Sequence, residues 1–428
     1  MKFSKYSYND MNEILTNQGA VMIKRTFKAI GILLIFGLSL SSLYLVNLFF
    51  MKPVSIDHFL GKEFLTGLAD SPESMTYIGI FDQFNWITRH NSKLSILNPN
   101  DLQTNIKDAK KTLKILNKYK DSSLSDNQKI TKKIAIFDTE NNLKQLEEFP
   151  YHDYPLNQVR GEHHNLISFM SDMHPIRSLS EAKDFIKRTN LVIDVYSGLL
   201  GWLERQAAEG IYAPKFVYDH LIKQLNELIN YSIEEHPLYT QFIKKAKLLD
   251  ISDDELANLD AGLKSSIENS VTPGFVLLRD FMVSTKVNAN PHHGIWSQPN
   301  GDEFYELRIR SYTTTDYSPQ KIHDLGVSEV ARISSRMKEI LVSLGYDASK
   351  TAGTLMNELN EDPSMLYADT PDRKKIVVQD YMDMVTEATE GIKGYFHTMP
   401  KSPVTVIAAP EYSEKTAPGG WYQSPALD

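Results

Sequence analysis

The sequence predicts a mainly α fold: a multi-helix domain with a few short β-strands near the C-terminus, preceded by one N-terminal transmembrane helix. Three observations carry this. Apolar residues recur at helical spacing in segment after segment, while period-2 alternation is almost absent. Capping residues and breakers punctuate those segments, as in Ser178-x-x-Glu181 and Ser252-x-x-Glu255. One long apolar run follows Lys24, Arg25 and Lys28.

That run, Ala29 to Phe50, is broken only by Ser39, Ser41, Ser42, Tyr44 and Asn47, and is long enough to cross a ~30 Å hydrocarbon core. Basic residues lie mostly on its N-terminal side, which places the N-terminus in the cytoplasm and the bulk of the chain outside, periplasmic or extracellular. A cleaved signal peptide would want a shorter core and a small-residue cleavage site, whereas this run ends in Leu48, Phe49, Phe50 and Met51. The expectation is a single-pass signal-anchor over 29–51, contacting the membrane. Residues 1–28 are then a cytoplasmic tail or an over-extended start before Met22.

The 428 residues suffice for two or three units or one large helical one, and 42% hydrophobic content supports a sizeable core. A net charge of −8 lacks the concentrated basic face that nucleic acid requires, so no nucleic-acid partner is expected. Lys107, Lys110, Lys111 and Lys114 read as a solvated helix face. There is no cysteine, which excludes disulfides, thiolate nucleophiles, cysteine zinc sites and a lipobox cysteine.

In order, Asp57 to Asp70 reads as a short helix with Phe59, Leu60, Phe64 and Leu68 inward. Pro72 and the run Met75 to Phe81 suggest a turn and a buried segment. Asn100-Asp101 cap a helix with Leu102, Ile106, Ala109, Leu113 and Leu116 on one face, and a second helix covers about Ser125 to Phe149. Ser178 opens a long helix running to Gly210. Pro214 suits the first turn of the next, and His236-Pro237 breaks it. Pro273 kinks or divides the helix opened at Ser252. Pro319 starts a helix carrying Ile322, Leu325, Val330, Ile333, Met337, Ile340 and Leu344. A later helix spaces Ile376, Tyr381, Met384, Val385, Ala388 and Ile392 for burial. Pro403 to Ile407 is β-branched and proline-bounded, and reads as a strand.

Two stretches hold candidate chemistry. Between Pro150 and Pro175 lie His152, His163, His164 and His174, four of the twelve histidines. Adjacent histidines point to different faces, and no pair has the one-turn spacing with an intervening glutamate that zinc peptidases use, so no metal is expected. Pro291 to Pro319, PHHGIWSQPNGDEFYELRIRSYTTTDYSP, is the densest punctuation in the chain. Its His292-His293 pair beside Trp296 either lines a pocket or sits exposed in a loop. Arg308 and Arg310 would share one side and could hold a carboxylate if the segment is extended; if it is helical they diverge. Walker, dinucleotide-binding and nucleophile-elbow motifs are all absent.

The pieces PESMTYIGI, GEHHNLISFMSDMHP, SLSEAKDFIKR, SVTPGFVLLRDFM, GIWSQPNGDEFYELRIRSYTTTDYSPQKIHDLGVSEVARI and APGGWYQSPALD, in that order, resemble the bacterial domain of unknown function 885 (DUF 885) family. The resemblance covers about Asp57 to Asp428. It implies a helical fold similar to zinc metallopeptidases, exported or anchored, with chemistry carried by an H-E-x-x-P-G-H-H motif. This sequence holds no such motif. The resemblance thus implies that 57–428 is the N-terminal portion of such a domain, truncated and catalytically incomplete, with no catalytic residue, no metal and no cofactor in this chain; zinc is expected only in a full-length member. Trp296, Tyr305, Arg308 and Tyr422 are the expected substrate-binding residues, lining a cleft in which the 403–407 strand offers its edge to a peptide. The alternative is a non-enzymatic helical module that binds a peptide or partner in the cell envelope.

Overall fold

The computed structural model describes residues 28, 30, 33, 35–408 and 419–422. The chain divides into two units, Met1–Asp70 with Gln103–Leu146, and Ser71–Leu102 with Glu147–Asp428.

In the first unit, α1 (Ile56–Ala69) starts at Ser55, whose side chain accepts from the Asp57 amide. It packs on α2 (Leu102–Leu116) and α3 (Asp126–Glu148) through a small core of Ile56, Phe59, Leu116 and Tyr119. Phe59 and Leu68 point inward as expected, but Phe64 is half exposed. The Tyr119 hydroxyl donates to the Pro53 carbonyl at 2.7 Å, and the Lys52 ammonium sits 4.3 Å from its ring centroid.

The membrane-spanning helix expected over 29–51 is not found. Among the described residues no helix is long and apolar enough to cross a membrane. The described helical stretch there includes 35–50. Its polar residues act locally. Ser39 donates back to the Ile35 carbonyl at 2.8 Å, and the Asn47 side chain bonds the Lys52 carbonyl and the Val54 amide, turning the chain toward α1. The expected tail, with Met22, Lys24 and Arg25, lies outside the described residues.

The second unit opens with a short helix, Pro72–Ile78, where a turn was expected. Ser71 caps it, Pro72 occupies its first turn, and Gly79 closes it at φ 77°. Its core belongs to the helices α4 (Glu162–Ser168), α5 (Leu179–Thr189), α6 (Val192–Ala208), α7 (Lys215–Asn230), α8 (Pro237–Ala246), α9 (Asp253–Ser266) and α10 (Thr272–Thr285). α10 packs between α6 and α7. Gly274 makes this possible, since a Cβ there would stand 2.7 Å from the Tyr196 ring. Tyr196 and Phe275 meet at 5.5 Å, Phe185 and Phe242 at 5.0 Å, all four buried.

The single helix expected from Ser178 to Gly210 is divided into α5 and α6. The Ser270 hydroxyl enters the break, donating to the Asn190 carbonyl at 3.0 Å and accepting from the Ile193 amide at 3.0 Å. Ser270 itself stands in a π turn, Ile267–Val271, just ahead of Pro273. Proline has no amide to donate and its ring crowds the carbonyl one turn back, so the helix widens there. Ser252 and Glu255 form the reciprocal capping box expected of them. At Ser178 only half the box forms, because Glu181 turns to the Arg177 amide and guanidinium.

Beyond α11 (Gly301–Thr313), α12 (Pro319–Ser343) packs on α13 (Ala352–Glu361), where Leu341 and Leu355 are buried. Of the other apolar residues spaced for burial on α12, Ile322 and Met337 are partly buried while Leu325, Val330, Ile333 and Ile340 are exposed, and α14 (Arg373–Gly391) has no buried residue. The C-terminal strand is absent as well. Residues 403–407 are irregular, with the Val406 amide 3.0 Å from Met382 Sδ. Among the described residues the single β-bridge joins Pro214 to Asn290, outside any strand. β-propensity needs a second backbone to complete the ladder, and among the described residues none lies alongside.

Candidate functional site

The punctuated block 291–319 folds as a tight turn feeding a helix. Asn300 adopts φ 52° and Thr314 φ 55°, setting the two ends of α11. Phe304, Leu307 and Ile309 are buried, and Phe304 packs on Phe149 at 5.5 Å and on the His152 ring at 5.0 Å. Because the segment is helical, Arg308 and Arg310 diverge, and the paired-arginine reading falls. Arg310 approaches Asp316 at 3.8 Å. Arg308 instead joins Tyr305 and Tyr312 on the outer face, at helical i, i+3, i+7 spacing. Its guanidinium donates to the Tyr312 hydroxyl at 3.0 Å, lies 5.1 Å from that ring, and is 3.8 Å from Asp153. Tyr312 carries the same spacing signal as Tyr305 and Arg308, and sequence reading passed over it.

The turn ahead of α11 holds Trp296 outward, 59% exposed, on a short 3-10 turn, Ile295–Ser297. A Cβ on Gly294 would run into its indole, so glycine is what lets the ring lie there. The His292 ring stands 5.1 Å from Trp296, and His293 stands 4.9 Å from Phe216. Thus the histidine pair faces two different aromatic neighbours.

Two sets of bonds fasten this turn. At one end Asn290 exchanges backbone bonds with Ala213 and Lys215, at 3.0 and 2.9 Å, and its side chain donates to Ser297 Oγ at 2.7 Å. At the other, Gln298 donates to the Tyr154 hydroxyl, and His152 Nε2 meets the Pro299 carbonyl at 2.7 Å. Gln206 of α6 donates to the carbonyls of Tyr151 and Asp153, holding the same loop from below. Beside this seam lies a small recess walled by Tyr154, Gln206, Tyr212, Tyr218 and Phe281. Burial raises the pKa of Tyr154 and Tyr218, so neither phenol is poised to act as a base. The seam residues Gln206 and Gln298 had no periodic or motif signal; only the meeting of distant loops shows them.

Of the histidines of 150–175, His152, His163 and His174 are buried and His164 is exposed. His163 meets Gln224 Oε1 at 3.2 Å, and burial lowers its pKa to about 4. His174 lies beside Arg188, and burial first, then that guanidinium, lowers it to about 3. Among the described residues no three His, Asp or Glu side chains gather as a metal would need. Tyr422 is 70% exposed.

Comparison with known proteins places these features. A family profile described as bacterial protein of unknown function (DUF885) matches residues 72–428. A solved structure of a candidate lipoprotein from Colwellia psychrerythraea superposes over 85% of this chain with a TM-score of 0.75 and 24% identity. A candidate lipoprotein of unknown function from Shewanella oneidensis does so over 88%, with a TM-score of 0.54 and 14% identity. The chain spans 65% of the length of each of these two proteins. No curated protein matches the sequence significantly.

Proposed function

Because this chain belongs to the DUF885 family of bacterial proteins, we propose that it is an extracytoplasmic binding module that takes an extended peptide on the surface formed by 291–319. The observation that carries this is Trp296: a large aromatic held outward on a turn that hydrogen bonds fasten at both ends. Exposed aromatics on a rigid support are the residues that anchor partners, because they bury much area while losing few rotamers. Tyr305, Arg308 and Tyr312 extend the surface along α11. The envelope setting is supported by the two solved structures of the same fold, both described as candidate lipoproteins. With no cysteine, this sequence has no residue for a lipobox thioether.

We assign no hydrolytic step to the chain. The H-E-x-x-P-G-H-H motif on which a metallopeptidase-like activity would rest is absent from the sequence. The purified chain is expected to bind no stoichiometric zinc and to cleave no peptide; metal-dependent hydrolysis would overturn this part. The binding reading is tested with a peptide library, followed by Trp296 fluorescence in a variant whose Trp86, Trp202 and Trp421 are replaced by Phe. W296A should lose selected peptides by roughly 30-fold or more. Equal binding by W296A, or no selected peptide at all, would overturn it.

A further inference from the structure

In the second unit, Phe84, Trp86 and Ile87 are 44%, 75% and 61% exposed. They stand at a single helical turn, Asn85–Thr88, which Arg89 closes at φ 52°. The turn is fastened from behind. Asn85 Nδ2 donates to Asp184 Oδ2, and Asn85 Oδ1 accepts from the Asn91 amide, both at 3.1 Å. Thr88 Oγ1 meets the buried His90 Nδ1 at 2.7 Å, and Arg188 holds the carbonyls of His90 and Lys93. An apolar turn held this firmly loses little freedom when something covers it.

The charges around it are sorted by sign. Arg177 pairs with Asp82 and with Glu181, each at 2.7 Å, and Lys187 pairs with Asp184 at 2.9 Å. In every pair the cation is the open member: Arg177 is 62% exposed and Lys187 64%, against 22%, 16% and 10% for the three carboxylates. Arg89 is exposed at the turn itself, and so is Lys93, whose ammonium donates to the Thr88 carbonyl at 3.1 Å. A chain of net charge −8 thus turns its cations outward around this apolar turn.

We infer that the 84–89 turn is where the protein rests on an anionic lipid surface. Trp86, Ile87 and Phe84 enter the boundary between headgroups and acyl chains, where an indole is at its most favourable. Arg89, Arg177 and Lys187 meet the lipid phosphates, and the covered carboxylates beneath them are kept from the anionic surface. A protein partner fits less well. Three side chains fall well short of the ~800 Å² per partner that a stable protein interface buries. No residue of the Trp296 surface takes part, so the two readings stand or fall separately.

The test uses the full chain with Trp202, Trp296 and Trp421 replaced by Phe, so that Trp86 alone reports. The probe is vesicles of phosphatidylcholine in which roughly a third of the lipid is phosphatidylglycerol. Trp86 emission should shift to the blue, and bromine on the acyl chains should quench it. Vesicles of phosphatidylcholine alone should bind about tenfold more weakly or worse. R89N/K187Q removes two cations, with asparagine tolerating the positive φ at 89, and should weaken binding by about 30-fold at low salt. W86S/I87S should weaken it by about 30-fold or more. It should leave the unfolding midpoint nearly unchanged, since both side chains are open. Quenching of Trp86 also separates this turn from the exposed apolar stretch at 35–50. Four results would overturn the inference: no vesicle bound, a bound vesicle that leaves Trp86 unquenched, undiminished binding by W86S/I87S, or a homodimer of the chain that W86S/I87S dissociates.

Discussion

Arg188 Nη1 donates to His174 Nδ1 at 3.0 Å, deep in the second unit, where the two residues are 0% and 1% exposed. The arginine can only donate, so the imidazole is the neutral tautomer with its proton on Nε2, facing the Glu181 carbonyl at 3.2 Å. Arg188 also bonds the carbonyls of Lys93 at 2.7 Å and His90 at 2.6 Å, and the Thr76 hydroxyl at 2.9 Å. Carbonyls, a hydroxyl and an imidazole thus hold this buried cation, with no carboxylate bonded to it. Burial lowers its pKa only to about 10, so it stays charged at neutral pH.

Removing this group leaves several buried acceptors without a donor. R188M is expected to lower stability by about 3–5 kcal/mol, read from the urea midpoint. R188K should recover only a fraction, because one ammonium cannot span the same acceptors. A variant as stable as the parent would show that the network contributes little.

Acid should unfold the second unit early. Burial lowers His163 and His236 to about 4, and burial then Arg188 lower His174 to about 3, against 6.5 for the free residue. The folded state therefore refuses protons that the unfolded chain takes up below pH 6.5. This stability is fully present above pH 6.5 and is lost as pH falls toward 4 and 3. Each histidine contributes roughly 1.4 kcal/mol per pH unit inside that window. His236 Nδ1 also accepts from the Leu238 amide at the start of α8. H236N keeps an acceptor for that cap, and should flatten the slope of stability against pH by about one proton. An unchanged slope would count against the neutral buried state.

Ser270 bridges the break between α5 and α6 with one donated and one accepted bond. S270A is expected to cost about 1–3 kcal/mol, with faster hydrogen exchange at the Ile193 amide. Unchanged exchange there would mean the break is held by packing alone.

At Gly294 the backbone is ordinary, φ −82° and ψ 146°, so alanine meets no dihedral strain; the obstacle is the Trp296 indole. G294A should displace the ring, shift its fluorescence and weaken peptide binding by about tenfold, while costing stability no more than ~1 kcal/mol. Intact binding would separate the ring's position from its function.

Much of the fold was legible in the sequence because its signals are local. Ser252 with Glu255, and Pro319 in a first turn, act within one helical turn, and each is found where the pattern sets a helix end. Other expectations failed for non-local reasons. The 403–407 segment has strand composition but, among the described residues, no partner backbone. The α5–α6 break depends on Ser270, eighty residues from Asn190.

By itself the sequence determined that this is a helical protein of the DUF885 family, where most helices begin and end, and which faces of them are apolar. Tertiary structure alone decided which of those faces are covered. Periodicity records that a stripe is apolar, but burial is a relation between segments far apart in the chain. So Leu341 and Leu355 are buried, while Ile333 and Ile340 on the same helix as Leu341 stand open. It likewise decided that Trp296 faces solvent on a fastened turn, because the bonds that fasten it come from His152, Tyr154 and the 213–215 backbone.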